Sequence, residues 1–434
     1  MERKKISSSK IAFGRRFFFG ARLRFGGVYD RIRIAKREGN WGGGCGKEIL
    51  VMANVFFTPH KVIVGEGALK ESQASLCALG KKALIVTSGS MVRGGVLEKL
   101  KESLRAGGCD CAVFTDITGE PSDQMVEAGA AIYRAEGCDF LIGVGGGSPI
   151  DAMKAIAVVV CLGGSINDYY GKVITEPLPP FCAIPSTAGT GSEATQFTII
   201  NNTVDNIKML LKGPSLMPTL AVVDPALSVT TPPKVTAFTG LDALCHAVEA
   251  YTSKKAFPLA DTMALSAVRR IFASLRRCYE QGDDLAARAH KAQAALEAGM
   301  AFNNSSVTII HGMSRPIGAL FHVPHGLSNA MLIKPCLTFA LPGCFDRFAV
   351  LAKEIGVWKE GMSEQEGAEA FLAAVEALCE DLQIPSCKEY GLDQDAFFAA
   401  IPKMAADAQA SGSPANTRRA PSVEEMEALY RTLF

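Results

Sequence analysis

Three of the chain's six histidines, His311, His322 and His325, fall in one short stretch. A fourth, His246, stands four residues after Asp242 in Gly240-Leu241-Asp242-Ala243-Leu244-Cys245-His246-Ala247-Val248-Glu249. On a helix, positions i and i+4 project from one face, so this carboxylate and this imidazole converge there. One carboxylate and three imidazoles make a set that binds a borderline divalent metal, Fe²⁺ or Zn²⁺, and leaves a position for a substrate oxygen. A single helical histidine is more commonly a surface or core residue, and an Asp/His pair at this spacing also arises by chance. Spacing alone therefore leaves a metal site and a set of unrelated histidines as alternatives. His60 and His290 have no such company and read as structural.

A second kind of chemistry is written in Gly145-Gly146-Gly147-Ser148-Pro149-Ile150-Asp151. The run follows the apolar segment Phe140-Leu141-Ile142-Gly143-Val144 and leads into a helical pattern from Ala152 to Ala157. Ser148 suits the N-cap, Pro149 the first helical position and Asp151 the reciprocal capping acid. Three glycines before a helix start let backbone N–H groups approach an anion closely, where unpaired donors and the helix dipole favour a pyrophosphate. The plain alternative is a tight strand-to-helix turn with a good cap. A second polar turn, Pro185 to Glu193, adds hydroxyls and flexible donors. Alone it is a loop; paired with the first it forms the other wall of a nucleotide cleft.

The elements that must position these residues divide in two. Strand-like runs at Lys82–Thr87, Cys111–Phe114, Phe140–Val144 and Phe181–Ile184 alternate with helical patterns, and continuous apolar runs of this kind imply a parallel sheet covered on both faces. Beyond Asp224-Pro225, helical patterns take over at Pro232–Ser253, Leu259–Glu280, Leu285–Phe302 and Glu364–Leu382. The expected fold is α/β, with a Rossmann-like parallel-sheet dinucleotide domain over 52–227 and an all-helical metal-binding domain over 228–434. One feature departs from the usual dinucleotide pattern. The fingerprint normally follows the first strand, and that turn here is Thr87-Ser88-Gly89-Ser90.

Composition limits the class. The 434 residues carry 45 Lys/Arg against 44 Asp/Glu and are 48% hydrophobic, which excludes a disordered, collagenous or disulfide-scaffold chain. No apolar run reaches the ~18–20 residues of a membrane span. The 13 cysteines are scattered without a C-x-x-C pair, which reads as reduced thiols in a cytosolic protein. Residues 1–51 hold 13 of the Lys/Arg and only 4 of the Asp/Glu. This basic leader lacks periodicity and reads as disordered or as a mis-assigned start, with Met52 the true beginning; a targeting segment is the alternative. The remaining acidic body offers no basic face for nucleic acid.

Taken together, these motifs resemble those of the iron-containing (group III) alcohol dehydrogenase family, its lactaldehyde reductase and 1,3-propanediol dehydrogenase branch in particular. The resemblance runs from Met52 to the C-terminus and is carried by Gly145–Asp151, Pro185–Glu193, Thr239–His246 and His311-Gly312-Met313 through Pro324-His325-Gly326. It implies that Asp242, His246, His311 and His325 hold the metal, Fe²⁺ or Zn²⁺. Gly146, Gly147, Ser148 and Asp151 then face the phosphates of NAD(P), while Thr187, Thr190 and Lys208 meet its nicotinamide side and ribose. The implied activity is reversible hydride transfer between a small alcohol or aldehyde and the nicotinamide, in a cytosolic homodimer or larger homo-oligomer. Glycerol dehydrogenase, dehydroquinate synthase and maleylacetate reductase share the architecture with different motif wording. A non-catalytic metal- or nucleotide-binding protein is the alternative from another class.

Three positions depart from the family pattern. Four residues after His311, many members carry a histidine; this chain has Arg315, which cannot titrate near neutrality. Any proton relay then passes to water, a ribose hydroxyl or His322, and Arg315 is expected to attract a carboxylate or phosphate of substrate or cofactor. Ser88 stands where NAD-preferring members place an Asp that repels a 2′-phosphate. NADPH is therefore expected to be accepted, and a preference for it is the stronger form of that expectation. Glu120 replaces a frequent Asn before Pro121, with no consequence apparent from sequence.

Overall fold

The computed structural model describes residues 53–205 and 207–434, so the basic leader expected over 1–51 lies outside the described residues. Six parallel strands form one sheet: β1 (Lys61–Val64), β2 (Lys82–Val86), β3 (Asp110–Phe114), β4 (Phe140–Gly145), β5 (Phe181–Pro185) and β8 (Leu220–Val223). Their order is β1-β8-β5-β4-β2-β3, and an antiparallel hairpin of β6 (Phe197–Asn202) and β7 (Ile207–Lys212) stands apart from it. The pleat divides the side chains of β2. Ala83 and Ile85 pack with Leu97, Leu100 and Leu104 of the helix Val96–Ala106 on one face. Leu84 and Val86 pack on the other with Val126 of the helix Asp123–Ala135 and with Ile150, Met153 and Ile156 of α1 (Gly147–Leu162). Burial on both faces is why the central strands read as continuous apolar runs.

Four of these strands coincide with the apolar runs of the sequence; β1 and β8 do not. They are four residues each and pair with one another, Lys61 opposite Leu220; their apolar stretches, Val62-Ile63-Val64 and Leu220–Val223, are no longer than the shortest of the runs expected as strands. They do explain the displaced glycine turn. From β2 the chain moves outward to β3, whereas β4, on the other side of β2, leads on to β5. The direction reverses between β2 and β4, and the crevice at the carboxyl ends of such strands is where open α/β sheets bind ligands. The glycine turn follows β4 and borders that crevice.

The helical half is centred on α2 (Pro233–Thr252), in which every side chain from Gly240 to Thr252 is buried. Around it pack α3 (Pro258–Glu280), α4 (Leu285–Ser305), α5 (Ile309–Phe321) and α6 (His325–Ala340). A helix wrapped in this way is apolar around most of its circumference, and any polar group on it is buried with the rest. No helix among the described residues is long and apolar enough to cross a membrane. The twelve described cysteines are all free.

Candidate metal centre and nucleotide cleft

Asp242 and His246, one turn apart on α2, meet His311 near the start of α5 and His325 at the start of α6. One ligand atom from each lies within 4.8 Å of the others. Asp242 Oδ1 stands 3.9 Å from His246 Nε2, 3.5 Å from His311 Nε2 and 3.6 Å from His325 Nε2. Phe302 and His311 both stack on the His246 ring, with centroids 4.2 and 4.4 Å away. Close backbone approach brings in the last member of the group, His325. A Cβ on Gly326 would lie 2.6 Å from the Phe238 carbonyl oxygen, so only glycine lets α6 begin against α2 at this distance. The cluster is open on one side, where the His325 side chain is 36% exposed.

The electrostatics suit a cation. Burial would raise the Asp242 carboxyl, yet the imidazoles of His246, His325 and His311 hold it well below the usual carboxylate range. Burial takes His246 down to about 3 and His325 to about 4, so both are neutral donors at physiological pH, the form a metal requires. His311 goes the other way. Burial would lower it, but the Glu249 and Asp242 carboxylates bring it to about 9, so a proton serves two anions where a divalent ion would serve them better.

Two residues not singled out from the sequence complete the centre. Glu249, fully buried on α2, accepts hydrogen bonds at Oε1 from Thr308 N–H (3.1 Å), Thr308 Oγ1 (2.8 Å) and Ile310 N–H (2.7 Å). Its Oε2 takes the His311 Nδ1–H, leaving Nε2 turned toward Asp242. One carboxylate thus caps the start of α5 and fixes the tautomer of its histidine. Asn329, one turn past His325, donates from Nδ2 to Asp242 Oδ1 at 2.7 Å, and that nitrogen lies 3.2 Å from Nε2 of both His311 and His325. Its Oδ1 is buried without a partner, the kind of atom a bound cation satisfies. The available signal was helical spacing: Glu249 follows His246, and Asn329 follows His325, by about one turn.

The candidate nucleotide turn corrects the capping expectation. α1 begins at Gly147 with Gly146 as N-cap, and no side chain caps it. Ser148 is therefore inside the helix. Asp151 is no capping acid, because its Oδ2 accepts the Ile199 N–H of β6 at 3.1 Å. The hairpin outcompetes the helix terminus for that carboxylate, and the terminal donors of α1 are left without a side-chain acceptor. Buried there, Asp151 is raised to about 6.

Both turns lie side by side. Ser186 N–H donates to the Gly145 carbonyl at 2.7 Å. A Cβ on Gly147 would come within 3.1 Å of Thr190, and one on Gly146 within 3.8 Å of Thr187. Thr87 Oγ1 donates to the Val144 carbonyl at 2.8 Å, tying the β2 end, and half-buried Ser88 beyond it, to the β4 end. Two buried lysines hold the second turn from opposite halves. Lys154 of α1 donates to the carbonyls of Ser192, Thr195 and Phe197 at 2.7–2.9 Å. Lys291 of α4 donates to the Ala188 carbonyl (2.6 Å) and to Thr239 Oγ1 (3.0 Å), one turn before Asp242. Burial lowers Lys154 to about 8 and Lys291 to about 7.

The remaining predicted residues fall into three settings. Lys208, on β7, pairs with Glu120 at 2.5 Å, which accounts for the departure at Glu120; the lysine's charge is felt at both Asp151 and His325. Arg315 lies one turn after His311, with one guanidinium nitrogen 3.1 Å from Ser413 Oγ. His322 is exposed at the C-terminal cap of α5, with a backbone φ of 54°, and is not one of the four grouped ligands.

Two family models and several known proteins match this chain. Residues 59–225 match the iron-containing alcohol dehydrogenase family, and residues 236–434 match the C-terminal part of the Fe-containing alcohol dehydrogenase family. The chain is 36% identical to the 1,3-propanediol dehydrogenase of Klebsiella pneumoniae over 386 residues, 87% of this chain and 96% of that protein. It is 38% identical over 333 residues to the NAD-dependent methanol dehydrogenase of Bacillus methanolicus, 76% of this chain and 87% of that protein. A crystal structure of a 1,3-propanediol oxidoreductase superposes with a TM-score of 0.85 at 35% identity, covering 88% of this chain and 100% of that one. With both halves matched and relatives of this identity spanning most of each chain, the protein belongs to the iron-containing alcohol dehydrogenases.

Proposed function

We propose that this enzyme moves hydride reversibly between a small alcohol or aldehyde and NAD(P), with Asp242, His246, His311 and His325 holding Fe²⁺ or Zn²⁺. The convergence of these four ligand atoms within 4.8 Å carries the reading. Once bound, the ion supplies Lewis acidity toward a substrate oxygen and the nicotinamide supplies the hydride acceptor or donor. The protein's own residues do the rest. Backbone donors at Gly146, Gly147 and Ser148 receive the pyrophosphate; Thr187, Thr190 and Lys208 meet the nicotinamide side and ribose, and Asp151 fixes the first turn of α1 against β6. Lys291, bridging Ala188 and Thr239, sets the distance between the nucleotide turn and the metal helix. Arg315 stays charged, and His322 is exposed outside the cluster, so we assign proton exchange to water entering beside His325. We place the enzyme in the cytosol as a homodimer or larger assembly.

Anaerobic turnover of short aldehydes with NADPH and with NADH, after loading with Fe²⁺ or Zn²⁺, tests the reading. Metal-dependent turnover lost in Asp242→Ala is the expected result; turnover indifferent to metal and to this substitution would sink it. Ser88 supports use of NADPH, because no carboxylate stands there to repel a 2′-phosphate. Ser88→Asp is expected to raise KM for NADPH by about tenfold, the scale of one ~1.4 kcal/mol contact, and to spare NADH. Equal effects on both cofactors would remove Ser88 from the cleft.

A further inference from the structure

We propose that Arg315 receives an anionic group carried by the substrate, a carboxylate, sulfonate or phosphate remote from the reacting oxygen, so that anion-bearing aldehydes or alcohols are the preferred substrate class. This rests on the dehydrogenase reading and narrows it. Position comes first. Arg315 follows His311 by one helical turn on α5, so its stem leaves the face that carries the ligand. Its electrostatic partners are those of the metal centre, for His325 feels the Arg315 charge and Arg315 feels the Glu249 carboxylate. His325 is also the ligand on the open side of the cluster.

The guanidinium itself lacks a counter-ion. Its hydrogen bond is to the neutral Ser413 hydroxyl at 3.1 Å, and no carboxylate among the described residues pairs with it. Glu249, the acid whose field it feels, already accepts from Thr308, Ile310 and His311. Lys208, the other cation felt at His325, is by contrast matched by Glu120. Burial works against the Arg315 charge, and a half-buried cation without an anion is costly unless a ligand provides one. A guanidinium offers five N–H donors in a planar fork, and one bond to Ser413 leaves an edge for the two oxygens of a carboxylate, sulfonate or phosphate.

The test compares aldehydes of matched length with a methyl, carboxylate, sulfonate or phosphate terminus, in the wild type, Arg315→Gln and Arg315→Lys. Alongside it, calorimetric titration of the metal-loaded protein with the unreactive anions butanoate, propanesulfonate and inorganic phosphate measures capture without turnover. Thermal unfolding checks that each variant is folded. The wild type is expected to favour one anionic series over the methyl series by about tenfold or more in kcat/KM. Arg315→Gln should raise KM for that series by about 10–100-fold while leaving the methyl series within about threefold, and Arg315→Lys should recover part of the loss. The preferred series identifies the anion. Equal handling of methyl and anionic aldehydes by the wild type, or equal losses in the variant, overturns the proposal and leaves the dehydrogenase reading standing. A change confined to KM for NADPH overturns it too, since the anion would then be the cofactor's. Anion binding lost in Arg315→Gln without turnover of any aldehyde would sustain the anion site and overturn the dehydrogenase reading.

Discussion

Glu249 shows how one buried carboxylate links local structure to the chemistry. Its oxygens satisfy the orphan donors at the start of α5 and, through the same helix, hold His311 with Nε2 toward Asp242. Glu249→Gln keeps the shape but removes the charge that raises the basicity of the imidazole. Metal affinity is expected to fall by about 10–100-fold, as for other partners of metal-bound histidines, measured by competition with a chromogenic chelator. Unchanged affinity would mean that Glu249 serves only the helix. The pH dependence follows from the same pair. His311 keeps its proton up to about 9 in the metal-free protein, so below that pH an incoming ion must displace a proton. Affinity should therefore rise with pH and level off near 9, and uptake at neutral pH should release a proton. A flat profile would contradict this.

At the scale of elements, the centre depends on where α6 begins. Gly326→Ala places a methyl 2.6 Å from the Phe238 carbonyl oxygen, which no rotamer relieves, so the helix start must move. The expected cost is about 1–3 kcal/mol of stability, with weaker metal binding because His325 moves too. Thermal unfolding and chelator competition on the same variant check both; a variant as stable and as tight-binding as the parent would show the close approach to be dispensable. The turn proposed as the second nucleotide wall, Pro185–Glu193, is positioned differently, by buried amines. Lys154 satisfies three carbonyls that would otherwise lie unpaired, which explains a charged residue in the middle of an apolar helix face.

At the scale of the whole molecule, the four proposed ligands come from three helices, α2, α5 and α6, which meet only in the folded chain. A bound ion is therefore a cross-link that the unfolded chain lacks. Free metal at about 100 times its dissociation constant should add about 2.7 kcal/mol of stability, visible as a higher unfolding midpoint that a chelator reverses. Asp242→Ala should abolish this shift. A midpoint insensitive to metal in the parent would show that no ion is held.

Features that rest on local pattern are legible in the amino-acid order. The apolar runs at Lys82–Thr87, Phe140–Val144 and Phe181–Ile184 marked central strands because burial on both faces leaves no polar alternation. Asp242 and His246 were legible as a pair because a helix places i and i+4 on one face. The folded chain supplied the rest. It separated His322 from His311 and His325, although all three are close in the chain, because α5 ends at Phe321 and His322 turns outward in its left-handed cap. It drew Asp151 to β6 rather than to its own helix, paired Glu120 with Lys208, and set Lys291 between the two halves. The last three outcomes are contacts across long sequence separation, where competing partners are compared only once the chain has folded and water has been excluded.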